Sequence, residues 1–176
     1  MKGKALYISR GGILTALSFM LVYISTVIPT SRLTVLALTS LIVPIAILTT
    51  NIKTSLVIYI ATSVISLMFL GLRGNVLLYI LLFGIYGLIK LFIEKFKNLP
   101  LEIFLKLVYF NCVLLVLWLS ASLFTDVTGI KLPEIPYIIP IAFVVMQFIF
   151  IVFDYALTQG INYFLNKIYD KIKFRN

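Results

Sequence analysis

Apolar residues in this chain fall in long, nearly charge-free runs separated by short polar breaks. A bilayer core about 30 Å thick needs about 20 such residues in helical form. Windows of that size lie at about 11–31, 33–52, 54–72, 105–125 and 135–155, each bounded by a charge or a polar turn. A sixth, Gly74 to Ile89, is shorter. It reaches spanning length near Ile93 if Lys90 snorkels to the interface on its flexible stem. The pattern predicts an all-α membrane protein, a bundle of six transmembrane helices in one domain over 1–176. Beyond the sixth window, Leu157, Ile161, Phe164, Leu165 and Ile168 recur at helical spacing in a stretch too polar to span. That predicts an amphipathic C-terminal helix over 156–172, lying on the membrane or protruding from it.

The links are short. Spans one and two are joined by Thr30, Ser31 and Arg32 after Pro29, and spans two and three by Asn51, Ile52 and Lys53, which makes them antiparallel neighbours. The run from Gly11 to Ile28 exceeds the apolar region of a secretory signal and is read as a retained span.

Composition turns apolar runs into a membrane assignment: 62% of the residues are hydrophobic and 12% charged, against roughly half and a quarter in soluble domains. The net charge of +9 sits in patches between the runs, so it speaks to topology and predicts no nucleic-acid partner. Lys2, Lys4, Arg10, Lys53, Lys90, Lys95, Lys97, Lys106, Lys167, Lys171, Lys173 and Arg175 fall on the side of the termini, and Arg32, Arg73 and Lys131 on the other. This bias predicts a multi-pass cell-membrane protein, bacterial or archaeal, with both termini cytoplasmic. The longest exterior loop, Asp126 to Tyr137, carries Gly129, Pro133 and Pro136, and is either a lid or a plain turn. With no histidine, His-based metal sites and Ser-His triads are excluded. Neither metal nor cofactor is expected. Cys112 is the one cysteine, so there is no intrachain disulfide.

Three stripes carry the candidate chemistry. Asn75, Tyr79, Phe83 and Tyr86 share a face of span four, Asn111, Trp118 and Ser122 a face of span five, and Pro140, Gln147, Asp154 and Thr158 a face of span six. Polar groups are costly against lipid, so the stripes should converge on protein or on a cavity. The sharper expectation is an exterior-facing pocket lined by Asn75, Tyr79, Trp118, Tyr137 and Gln147, with Arg32 and Arg73 steering an anionic ligand at its mouth. The plainer one is interhelical hydrogen bonding through Asn111 and Gln147, with the aromatics marking the interfaces. Lys90 and Asp154 lie at similar depth and are placed to pair; a proton relay would need a second buried acid, which the sequence does not offer. On span one, Gly12 and Ala16 make a small-xxx-small pair that lets another helix approach, from this chain or from a partner.

Six spans, short loops and the segment GGILTALSFMLVYISTVIP (Gly11 to Pro29) resemble the substrate-binding S component of an energy-coupling factor (ECF) transporter. Members carry an Ala-xxx-Ala surface on the first helix, where this chain has Gly12 and Ala16. The resemblance implies a small-molecule substrate captured from outside by spans four to six. It also implies a transmembrane coupling protein docked on Gly12 and Ala16, two cytoplasmic ATPases, and a toppling motion that releases substrate inside. No Gly-x-x-x-x-Gly-Lys motif is present, so ATP coupling would depend on those partners. The alternative is a membrane scaffold of envelope assembly, similar to the rod-shape protein MreD. An enzyme is not expected, because no acidic cluster or nucleophile motif accompanies the missing histidines.

Overall fold

The structure is a computed structural model that describes residues 2–28, 30–128 and 138–173. Those residues are helical throughout apart from short links, with no strand among them. The helices are α1 (Lys2–Val27), α2 (Arg32–Thr39), α3 (Ile42–Thr49), α4 (Ile52–Leu70), α5 (Gly74–Leu78), α6 (Gly84–Ile93), α7 (Leu99–Thr128) and α8 (Ile138–Lys173). A π turn, Tyr79–Phe83, joins α5 to α6, and a 3₁₀ turn, Glu94–Phe96, follows α6. Six stretches among the described residues are long and apolar enough to cross a membrane: Tyr7–Val27, Arg32–Thr49, Ile52–Leu70, Gly74–Phe96, Leu99–Ser120 and Pro140–Lys167. The chain is a six-helix multi-pass membrane bundle.

Span two breaks between α2 and α3 for a local reason. Pro44 has no N–H to give the carbonyl four residues back, so the chain tightens there. The amides of Ser40 and Leu41 bond to the carbonyls of Ala37 and Leu38, three residues back, at 3.2 Å each. The hydroxyls of Thr39 and Ser40 add bonds of 2.5 Å to the carbonyls of Leu36 and Ala37. Pro44 then packs on Gly87 of α6, where an added Cβ would lie 2.6 Å from the proline Cδ. Only glycine permits this approach. On α8, a Cβ added at Gly160 would lie 2.8 Å from Cδ2 of Leu41 in the break.

Helices α1 and α4 pack together, and each buries small hydroxyl residues, Ser18 and Ser25 on α1 and Ser55, Thr62, Ser63 and Ser66 on α4. Small side chains let membrane helices close on each other where lipid supplies no hydrophobic drive. The Arg10 guanidinium donates to the Thr49 carbonyl at 3.0 Å, which ties the start of span one to the end of span two. The apolar core runs from Val22 and Leu36 through Val76, Leu82, Phe83 and Tyr86 to Phe110, Phe150 and Leu157.

The segment at 156–172 continues span six, and α8 runs unbroken for 36 residues. One expectation is corrected here. Lys90 does not snorkel to the interface; it is 2% exposed and points inward, where carboxylates within reach replace the water it gives up.

Candidate functional site

The residues singled out from the sequence settle at separate interfaces. Asn75 Nδ2 donates to the Ser25 carbonyl at 2.7 Å, joining α5 to α1. Tyr79 is fully buried, and its hydroxyl shares a hydrogen bond of 3.1 Å with Ser18 Oγ. Gln147 Nε2 donates to Asn111 Oδ1 at 2.6 Å between α8 and α7, while its Oε1 is buried with no partner among the described residues. Trp118 is 69% exposed and faces away from the bundle. Arg32 and Arg73 are exposed at the starts of α2 and α5, and Tyr137 lies outside the described residues. Thus Asn75 and Tyr79 face α1, Gln147 faces α7, and they do not line one pocket. Gly12 and Ala16 are both exposed, and a Cβ added at Gly12 would meet nothing within 4 Å.

The stripe on span four divides because of the π turn. The Gly84 amide reaches back five residues to the Tyr79 carbonyl, so the helix widens and later residues turn to a new neighbour. Asn75 and Tyr79 therefore meet α1, whereas Phe83 and Tyr86 meet Phe153 on α8. Two tyrosines satisfy carbonyls of the widened turn: Tyr59 donates to Ile80 at 2.9 Å, and Tyr109 donates to Leu81. A cleft of about 220 Å³ lies beside the turn, lined in part by Tyr59, Leu81, Tyr109 and Cys112.

Where spans four, five and six converge, four charges form a closed ring of alternating sign. Lys90 Nζ lies 2.7 Å from Glu94 Oε1 and 2.5 Å from Asp154 Oδ1. Lys106 Nζ lies 2.9 Å from Glu94 Oε1 and 2.8 Å from Asp154 Oδ2. Lys90 also donates to Thr158 Oγ1 at 2.8 Å, and the Tyr86 hydroxyl to Asp154 Oδ1 at 2.6 Å. The ring is neutral as a whole. Both lysines are buried, and the Glu94 side chain, 39% exposed, is its open edge. Removing charges from water costs several kcal/mol per ion, and here each lysine meets two carboxylates while Asp154 meets two lysines and a hydroxyl. The ring clamps α6, α7 and α8 to one another.

An aromatic layer sits beside the ring. Phe110 of α7 stacks on Phe150 of α8 at 4.3 Å, and Tyr86 packs against Tyr109, Phe150 and Phe153. The Asn111–Gln147 bond lies on the far side of this layer, two turns of α8 from Asp154. Past Gln147 towards its N-terminal end, α8 leaves the bundle. Residues 141–146 are all exposed, more than one full turn, so no face of that stretch is covered. On α7 the matching stretch exposes Leu115, Val116 and Trp118. Helices α7 and α8 are joined at the ring, at the aromatic layer and at the Asn111–Gln147 bond, and α8 is uncovered beyond that bond.

The pairing of Lys90 with Asp154 is the reading the geometry carries furthest, and Lys106 and Glu94 complete it. Glu94 is the second carboxylate that the sequence did not offer at depth. Its four-residue spacing from Lys90 was the available signal, as was that of Thr158 from Asp154. Comparison with protein-family models, curated proteins and solved structures finds no match for this chain.

Proposed function

We propose that the chain is a substrate-capturing membrane subunit of an importer, of the kind exemplified by ECF S components. It takes a small molecule between spans five and six from the face opposite its termini. The observation that carries this reading is the asymmetry of α7 and α8: four ion pairs clamp one end of the unit, and α8 stands uncovered at the other. A substrate entering at the uncovered end meets the Asn111–Gln147 pair and then the aromatic layer, with Gln147 Oε1 open to a donor. Arg32 and Arg73 stand exposed on the other spans to steer an anionic ligand. The bias of basic residues supports cytoplasmic termini, which would leave the uncovered end of α8 outside. The open surface at Gly12 and Ala16 receives a transmembrane coupling protein, which brings two ATPases.

A second reading, the envelope-assembly scaffold, draws on the engagement of Asn75, Tyr79 and Gln147 in interhelical bonds, which leaves no pocket preformed among them. One pair of measurements separates the two. In a Cys112→Ala background, Asn111→Cys and Gln147→Cys should react with a water-soluble maleimide applied from outside, and the tagged chain should purify from native membranes with ATPase subunits. Gly12→Leu should lose those subunits while the chain stays folded. Unreactive positions together with co-purifying cell-wall machinery would establish the scaffold instead.

A further inference from the structure

The ring borders a cleft of about 100 Å³ between α7 and α8, walled by Ile103, Lys106, Leu107, Phe150, Ile151 and Asp154. Ile103 and Ile151 at its rim are exposed on the outer surface of the bundle, so the cleft opens sideways into the hydrocarbon. An apolar niche with charged groups in its wall is costly to leave empty.

Counting donors and acceptors shows what the niche lacks. An ammonium has three N–H donors. Lys106 donates to Glu94 and Asp154 and has no third acceptor among the described residues, while Lys90 donates to Asp154 and Thr158 and pairs with Glu94 at 2.7 Å. Asp154 Oδ1 accepts from Lys90 and Tyr86, and Oδ2 from Lys106 alone. In the wall of the cleft, Lys106 thus keeps one donor and Asp154 Oδ2 one acceptor without a partner among the described residues; Glu94 Oε2, also unpartnered, does not line it. The ring is already neutral, so a phosphate, carboxylate or ammonium head would add an uncompensated charge in low dielectric. A hydroxyl fits without that cost: its oxygen accepts from Lys106 Nζ, and its proton goes to Asp154 Oδ2. At roughly 30 Å³ for each water-sized unit the cleft holds about three, so a longer tail must leave past the rim into lipid.

The geometry points to a binding site for an uncharged, hydroxyl-headed amphiphile, a long-chain alcohol, with its head on Lys106 and Asp154 and its tail emerging between Ile103 and Ile151. The site is lateral, lies on the ring side of the aromatic layer, and is independent of the capture reading above. The test uses the full chain in nanodiscs with a hexadecanol carrying a diazirine near the hydroxyl, and peptide mapping of the photoadducts. Adducts should concentrate on 103, 107, 150 and 151 and be competed by plain hexadecanol. Diazirine-bearing hexadecane and hexadecanoate should label these positions at least tenfold less. Ile151→Trp and Ile103→Trp narrow the rim from opposite walls without touching the ring, so each should abolish the adducts at an unchanged unfolding midpoint. Equal labelling by all three probes would mean ordinary contact with surrounding lipid and would overturn the site. Adducts elsewhere, or labelling that survives both tryptophan variants, would overturn it too. An unlabelled cleft would mean that water fills it, and would overturn the site as well.

Discussion

Asp154→Asn is the sharpest perturbation of the ring. It keeps the shape of the side chain and removes the charge that two lysines share. In the native ring Asp154 receives Lys90, Lys106 and the Tyr86 hydroxyl at 2.5, 2.8 and 2.6 Å. After substitution the two buried ammoniums have only Glu94 between them, and the ring carries one positive charge in excess. Breaking a buried pair from one side typically costs about 3–5 kcal/mol. Glu94 is partly exposed, and pairs made through an exposed carboxylate contribute roughly 0–1 kcal/mol, so Glu94→Gln should cost far less. Lys90→Met alone leaves an excess negative charge, again at about 3–5 kcal/mol. The double variant Lys90→Met/Asp154→Asn leaves a neutral Lys106–Glu94 pair. Its cost should fall short of the summed single costs by about 2 kcal/mol or more, the non-additivity expected of groups in one network. Reversible unfolding in mixed micelles or steric trapping in bicelles measures the whole cycle. Additivity within about 0.5 kcal/mol would show that the charges act independently. A loss below about 1 kcal/mol for Asp154→Asn would show that water reaches the ring freely, which would refute the clamp.

Gly87→Ala should destabilise by about 1–3 kcal/mol, because its Cβ would stand 2.6 Å from the Pro44 ring, whereas Gly12→Ala should be nearly silent in the same unfolding assay. Gly160→Ala should fall between them, since the atom it meets at 2.8 Å is the flexible end of Leu41. Tyr59→Phe and Tyr109→Phe each remove a hydroxyl from a carbonyl of the π turn and should cost about 1 kcal/mol apiece, with faster amide exchange at 84–86 as the local readout. Cys112 is exposed yet lies within span five, so a membrane-permeant maleimide should label it and an impermeant one should not.

The spans were legible because run length against bilayer thickness is a direct physical match, and the described helices fall where the runs fall. The break in span two was announced only by Pro44; the hydroxyl bonds of Thr39 and Ser40 that settle it depend on which neighbour packs there. The π turn had no sequence signal. It exists because Gly84 lies against the Tyr59 ring and because Tyr59 and Tyr109 take up the carbonyls beside it, which are tertiary facts. Lys106 stands at the opening of the fifth apolar window and was counted only among the basic residues on the side of the termini. Helix α7 begins earlier, at Leu99, with Pro100 in its first turn, where a missing N–H costs nothing. That start carries Lys106 two turns into the helix and down to the depth of Asp154.

The ring also changes how the chain's charge should be counted. It pairs two residues of each sign with one another, so the whole net charge of +9 remains on the rest of the chain. Lys90 and Lys106 were among the twelve basic residues counted towards the expected orientation, and both are buried. Ten remain against Arg32, Arg73 and Lys131, which keeps the direction of the bias. What the two lysines give up in orientation they supply as a clamp. In the capture reading proposed above, this hold at one end is what would let α7 and α8 admit a molecule at the other without dissolving the bundle.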